Sequence, residues 1–255
     1  MPLLNQAGRK ILLTDYTWDE LDSLPGKAEL KLVLPLGSTE VHGYHLPLES
    51  DTLQAVKIAE MAALRLPDVI VMPGIPYGFC PDTMNFCGTV HVSAETVTSL
   101  VADIAQSLYR QGFRKLLVYN GHGGNKAVAD TGLRNALLRL SAPDKPLSAD
   151  FKLYLSNAYE KISRQVSGML KGRDWGHACE METSVMLVLA PESVKMDRAV
   201  EEYMEGGPDT VWRVRDMKAF SQSGVHGAPQ HATAEKGREL LELLVADLAA
   251  LLEQI

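Results

Sequence analysis

A chain of 255 residues with 46% apolar content can bury one large core, and with no repetitive or low-complexity stretch it is expected to form one domain, residues 1–255. Its formal charge of −7, with 25 basic residues scattered among 32 acidic ones, leaves no footprint for nucleic acid or for an anionic membrane surface. Three cysteines without paired spacing, no secretory apolar segment and no run of about 18 apolar residues point to a reducing cytoplasm and a small-molecule partner.

The first buried strand is read at residues 31–36 (KLVLPL). Residues 52–66 place Leu53, Val56, Ala59 and Met61 at helix-compatible spacing and stop at Pro67, which sets Asp51 at a helix start. Residues 68–73 (DVIVMP) give a second strand, and the Gly/Pro-rich passage 74–88 is too long for a simple connection and is expected to line a site. Ser93 is read as the N-cap of a helix carrying Val97, Leu100, Val101, Ile104 and Leu108 until Gly112 ends it.

A third strand at 115–119 (KLLVY) leads through Asn120-Gly121-His122-Gly123-Gly124-Asn125 into a helix over 126–140. A strand at 151–155, a helix at 158–170 and a short apolar helix at 181–189 follow, and a last helix over 233–254 docks through Leu240, Leu244, Leu248 and Leu251. Residues 201–231 carry no readable pattern. The alternation of strand and helix predicts an α/β fold, a three-layer α/β/α sandwich around a mostly parallel sheet.

Chemistry concentrates just past the strand ends. Glu40 and His42, two apart in an extended segment, point the same way and can reach one cation together. Asp51 can return to that pocket, and its two carboxylate oxygens can bridge two cations. His122 sits in a glycine-rich loop that lets a ligand approach the backbone, and His45 is either turned outward or an outer partner. Asp174, His177 and Glu180 recur every third residue before an apolar helix, with Glu182 following, as if facing a polar pocket. Cys80 and Cys87 read as buried inert thiols, Ser38 and Ser184 lack a nucleophile's setting, and His226 and His231 read as solvent-facing.

Three ordered motifs carry a family resemblance. EVHGYHLPLESD, NGHGGN and HACEMETS match E-x-H-G-x-H-L-P-x-x-x-D, N-G-H-x-x-N and H-A-G-x-x-E-T-S, and a late ATAEKG precedes the terminal helix, so the chain resembles the creatininase (creatinine amidohydrolase) family through nearly its whole length. The resemblance implies two divalent metal ions (Zn, Mn or Fe), with Glu40 and Asp51 on one, His42, Asp51 and His122 on the other, and Asp51 bridging. In the creatinine-cleaving branch a glutamate follows the motif histidine by two residues, where this chain has Gly124, and Glu180 is taken as the replacement ligand. Cys179 stands where the family has glycine.

His177 and Glu180 are the catalytic expectations, with His45, Tyr77, Gly123, Gly124, Asp174, Trp175 and Glu182 on the substrate side or behind the ligands. The implied activity is hydrolysis of a C–N amide, cyclic amide or formamide, of a small metabolite by metal-activated water. A keto-inositol or polyol hydrolase or isomerase using the same ions, and a non-catalytic metal-containing binding protein, are the alternatives. A homo-oligomer, a hexamer, is implied by resemblance alone.

Overall fold

Four short runs of branched and leucine side chains form the sheet: β1 (Lys31–Leu36), β2 (Val69–Val71), β3 (Lys115–Asn120) and β4 (Lys152–Asn157), all parallel in the order β2-β1-β3-β4. The computed structural model describes residues 2–141, 150–160, 162–166, 168–172, 176–203 and 216–255. Its helices are α1 (Trp18–Asp22), α2 (Ser50–Ala63), α3 (Ala94–Arg110), α4 (Asn125–Leu140), α5 (Ser163–Val166), α6 (Glu180–Leu189) and α7 (Ala234–Gln254).

Strand side chains alternate between two helical layers, as a sheet buried on both faces requires. Val33, Val71, Leu117 and Tyr119 pack with the apolar faces of α2, α6 and α7. Leu32, Leu34, Ile70, Leu116 and Val118 pack with those of α3 and α4. The three-layer sandwich read from the sequence is therefore the observed architecture. No described helix is long and apolar enough to cross a membrane.

The helix ends follow local chemistry. Ser93 Oγ accepts the Thr96 N–H at 3.2 Å, and Gly112, at φ +94°, follows the end of α3. Thr233 Oγ1 accepts the Lys236 N–H at 3.2 Å and starts α7. One turn later, a Cβ on Gly237 would overlap the Ser184 carbonyl oxygen, so α6 and α7 touch main chain to main chain.

Two sequence expectations change, and one short helix is new. The second strand shrinks to three residues, because only Val69–Val71 pair with β1. The helix expected over 158–170 is reduced among the described residues to the turn Ser163–Val166, since Ala158 N–H bonds Asn120 O at 2.9 Å and bends the chain across the end of β3. The short α1, too brief to show periodicity, is closed by Thr17 N–H donating to Glu20 Oε2 at 2.8 Å.

The topology places the site. From β1 the chain runs through α2 to β2 on one side, and from β3 it runs through α4 to β4 on the other. The carboxyl ends of β1 and β3 are thus a switch point, where the connections diverge and leave a crevice.

Candidate metal centre

Five elements deliver side chains into that crevice. Glu40 and His42 lie on the segment leaving β1, Asp51 in the first turn of α2, His122 just past β3, Glu182 in the first turn of α6, and Cys80 and Thr83 on the loop after β2; all are buried. The two asparagines of the NGHGGN motif hold it together. Asn120 Nδ2 donates to His122 O at 2.7 Å, and Asn125 ties Phe79 N–H (2.8 Å) to Gly37 O (2.8 Å), so the loop after β2 is fastened to the end of β1.

Three imidazoles share one arrangement. His42 Nδ1–H donates to Glu40 O at 3.1 Å, His122 Nε2–H to Phe79 O at 2.9 Å, and His177 Nε2–H to Val41 O at 2.5 Å. Each ring thereby spends one nitrogen on a main-chain carbonyl and turns the other inward, the orientation that outer partners impose on metal-binding histidines. Ala178, the one non-glycine residue at positive φ (+52°) among the described residues, makes the turn between His177 and α6, a left-handed conformation that costs about 1–2 kcal/mol.

The inward atoms meet carboxylates. His42 Nε2 lies 2.9 Å from Asp51 Oδ1, while Asp51 Oδ2 is 3.1 Å from His122 Nδ1 and accepts Ser38 Oγ–H at 2.8 Å. Thr83 Oγ1 donates to Glu40 Oε2 at 2.5 Å. Glu40 Oε1 is 2.9 Å from His122 Nδ1 and 3.8 Å from His177 Nδ1, yet it is buried and receives no hydrogen bond of proper direction. Ligand atoms converge to within 4.8 Å of one another in three groups: His42, Asp51 and Glu182; Glu40, Cys80 and His122; and Glu40, His42 and His177.

The buried carboxylates favour positive charge on the imidazoles beside them. Burial opposes a charge on His42, but Asp51 carries its pKa up to about 10, and Glu40 and Asp51 raise His122 in the same way. Burial also works against an ionised Glu40, yet His122 and His177 bring it down to about 2. Glu182, with burial dominant, is pushed up to about 7. His177 is lowered by burial and then by the charge on His42. The buried acids thus create a demand for positive charge that divalent ions can meet as well as protons.

The expected residues fall into three sets. Glu40, His42, Asp51, His122, His177 and Glu182 come together, and Gly123 and Gly124 border the same cavity of about 370 Å³. Glu180 does not join them. Its carboxylate accepts the Lys171 and Gly172 N–H groups at 2.8 and 2.9 Å and is paired with Lys236 Nζ on α7, so it is tied up in a separate clamp. Among the three-residue groups Glu182, and not Glu180, lies with His42 and Asp51, and His122 lies with Glu40 while also facing Asp51 Oδ2 at 3.1 Å. Tyr77 is exposed and lines neither described cavity, while Asp174 and Trp175 lie outside the described residues.

His45 is buried behind the site, with Nε2 2.8 Å from Thr183 Oγ1. Its pKa is pushed down to about 4 from 6.5, by burial first and then by His42. The unfolded chain therefore takes up this proton first, so the stability tied to a neutral His45 is present above pH 6.5 and lost as pH falls through about 4. In urea titrations across that window the metal-free protein should lose up to roughly 3 kcal/mol by this route. His45→Gln should flatten the slope, and an identical slope in both proteins would exclude this origin.

Other readings shift with the geometry. Cys87 is exposed rather than buried, whereas Cys80 stands against Glu40 and His122. His226 is half-buried and exchanges main-chain hydrogen bonds with His177 at 2.8 and 3.1 Å. Cys179 takes the glycine position without strain because its φ is −86°, and its N–H donates to Glu182 Oε2 at 3.3 Å. Thr83, which orients Glu40, gave no signal in the sequence beyond its place in the Gly/Pro-rich loop.

Residues 14–252 match the creatininase (creatinine amidohydrolase) family. The chain is 28% identical over 253 residues to the creatinine amidohydrolase of Pseudomonas putida, covering 94% of this chain and 95% of that protein. It is 31% identical over 227 residues to the mycofactocin precursor peptide peptidase of Mycobacterium tuberculosis, covering 85% and 82%. The solved structure of a manganese creatininase is similar at a TM-score of 0.85 and 28% identity, over 96% of this chain and 98% of that one. Sequence, fold and clustered ligands agree, and the chain belongs to the creatininase family of metal-dependent amidohydrolases.

Proposed function

We propose that the protein hydrolyses a C–N amide bond, in a cyclic amide or a formamide, of a small metabolite, with two divalent ions sharing Asp51. The observation that carries this reading is the division of Asp51, whose Oδ1 faces His42 and whose Oδ2 faces His122. One ion would be held by His42, Asp51 and Glu182, the other by Glu40, Asp51 and His122. The donors fit such ions, because they are buried carboxylates and imidazoles and because Glu40 Oε1 is left without a hydrogen bond. When bound, such ions polarise a carbonyl and bring the pKa of water toward neutrality.

The chain's own groups supply the rest. His177 is fixed through Nε2 to Val41 O, and its lowered pKa keeps Nδ1 free of a proton and able to carry one to the departing nitrogen. Gly123 and Gly124 precede α4 and border the cavity, where their amides offer donors to a developing oxyanion. A second cavity of about 480 Å³, reaching Lys126, Asn157 and Tyr159, shares His122, Gly123 and Glu182 with the first and gives a substrate room beyond the scissile bond. Gly124, in place of the creatinine branch's glutamate, favours an amide other than creatinine.

Elemental analysis followed by product analysis tests the reading. Protein loaded with Mn, Zn or Fe should release amine and carboxylate from members of an amide panel containing creatinine, formamides and short peptides. Isomerisation of a keto-polyol with no amide turnover would overturn it. His177→Ala should keep its metals and lower kcat by roughly 10²–10⁴-fold. An unchanged kcat would remove His177 from proton transfer.

A further inference from the structure

We infer that the thiolate of Cys80 is a ligand of the cation held by Glu40 and His122. This rests on the two-metal reading and adds a sulfur donor to one of its two sites. Cys80 is buried, and its Sγ belongs to a group with Glu40 and His122 whose ligand atoms lie within 4.8 Å of one another. A second observation points to a ligand at the same place. Glu40 Oε2 is taken by Thr83, while Oε1, buried in this group, receives no well-directed hydrogen bond and has only the His122 Nδ1 of the same group beside it, at 2.9 Å.

The loop presenting Cys80 is held on several sides. Cys80 N–H donates to His91 Nδ1 at 3.1 Å, Phe79 N–H to Asn125 Oδ1 at 2.8 Å, and Met217 N–H to Asp82 O at 2.7 Å. A donor on so fixed a backbone is positioned rather than incidental. The other cysteines are not in this position: Cys87 is exposed, and Cys179 joins no three-ligand group among the described residues.

With Cys80 included, this ion has one sulfur, one nitrogen and two carboxylate donors, from Cys80, His122, Glu40 and Asp51. Four donors with a thiolate suit tetrahedral zinc, whereas His42, Asp51 and Glu182 offer only nitrogen and oxygen and suit manganese or iron equally. The two sites should therefore differ in preference. On binding, the S–H bond breaks, sulfur keeps the electron pair for the metal bond, and the proton leaves to solvent.

Cobalt substitution tests this without reference to turnover. Cobalt(II)-loaded wild-type protein should show a near-ultraviolet sulfur-to-cobalt charge-transfer band, which Cys80→Ser should lack while still binding cobalt. In zinc–manganese competition Cys80→Ser should lose at least the roughly tenfold affinity that even an outer partner is worth. Cys179→Ser should keep the band. In case Cys80→Ser folds poorly, iodoacetamide mapping on the wild type gives an independent measurement, with zinc expected to protect Cys80 and to leave Cys87 reactive. Bound cobalt without a sulfur band, or a Cys80 alkylated equally with and without zinc, would overturn the assignment alone. A wild-type chain that binds no cobalt would overturn it together with the two-metal reading.

Discussion

Glu182→Gln is expected to bind one metal ion fewer per chain and to lose more activity than the roughly 10–100-fold typical of an outer partner. Glu182 shares a ligand group with His42 and Asp51, and its amide would offer that group no negative charge. Glu180→Gln is the matched control. Its side chain serves Lys236 and two main-chain N–H groups, so it should keep both metals and lose about 1.5–3 kcal/mol of stability from weakened charge-assisted bonds. Metal analysis of the two variants decides the matter, since full occupancy in Glu182→Gln with loss in Glu180→Gln would reverse the roles.

Lys236→Met should be among the most destabilising substitutions in the chain, by about 3–5 kcal/mol. The substitution leaves the buried Glu180 carboxylate with only the Lys171 and Gly172 amides, and it also removes the Nζ–H bond to His231 O at 3.1 Å. The clamp joins the 171–172 segment, the start of α6 and the start of α7, so its loss loosens the helix that carries Glu182. Adding Glu180→Gln should recover much of the stability, because the stranded charge is gone. A loss below about 1 kcal/mol in urea unfolding would show that the pair behaves like an exposed one.

Much of this was legible in the chain. Glu40, His42, Asp51 and His122 follow strand ends or open a helix, and parallel sheets bring such positions to one edge. The choice between Glu180 and Glu182 was not legible. Two positions on a helix differ by about 200° in direction, so one carboxylate faces the crevice and the other faces α7, and only the docked orientation of α6 says which is which. Cys80 and Thr83 were hidden for another reason. Their loop has no period of its own, and its course over the end of β1 depends on Asn125, 46 positions from the Phe79 amide it holds. Among the described residues the helix expected over 158–170 is cut to Ser163–Val166, because helical spacing competes there with the main-chain bond from Ala158 to Asn120.

Gly124 has a consequence for how this protein can change. A Cβ there would overlap the Phe79 carbonyl oxygen and stand 2.5 Å from His122 Nε2, the two atoms whose hydrogen bond aims His122 at the crevice. A Gly124→Glu substitution would thus disturb the orientation of His122 while bringing in a further carboxylate, with Glu182 already beside His42 and Asp51. A side chain at position 124 therefore requires the loop at Phe79 to move first, so what that position can hold is set by main chain contributed from 45 residues earlier.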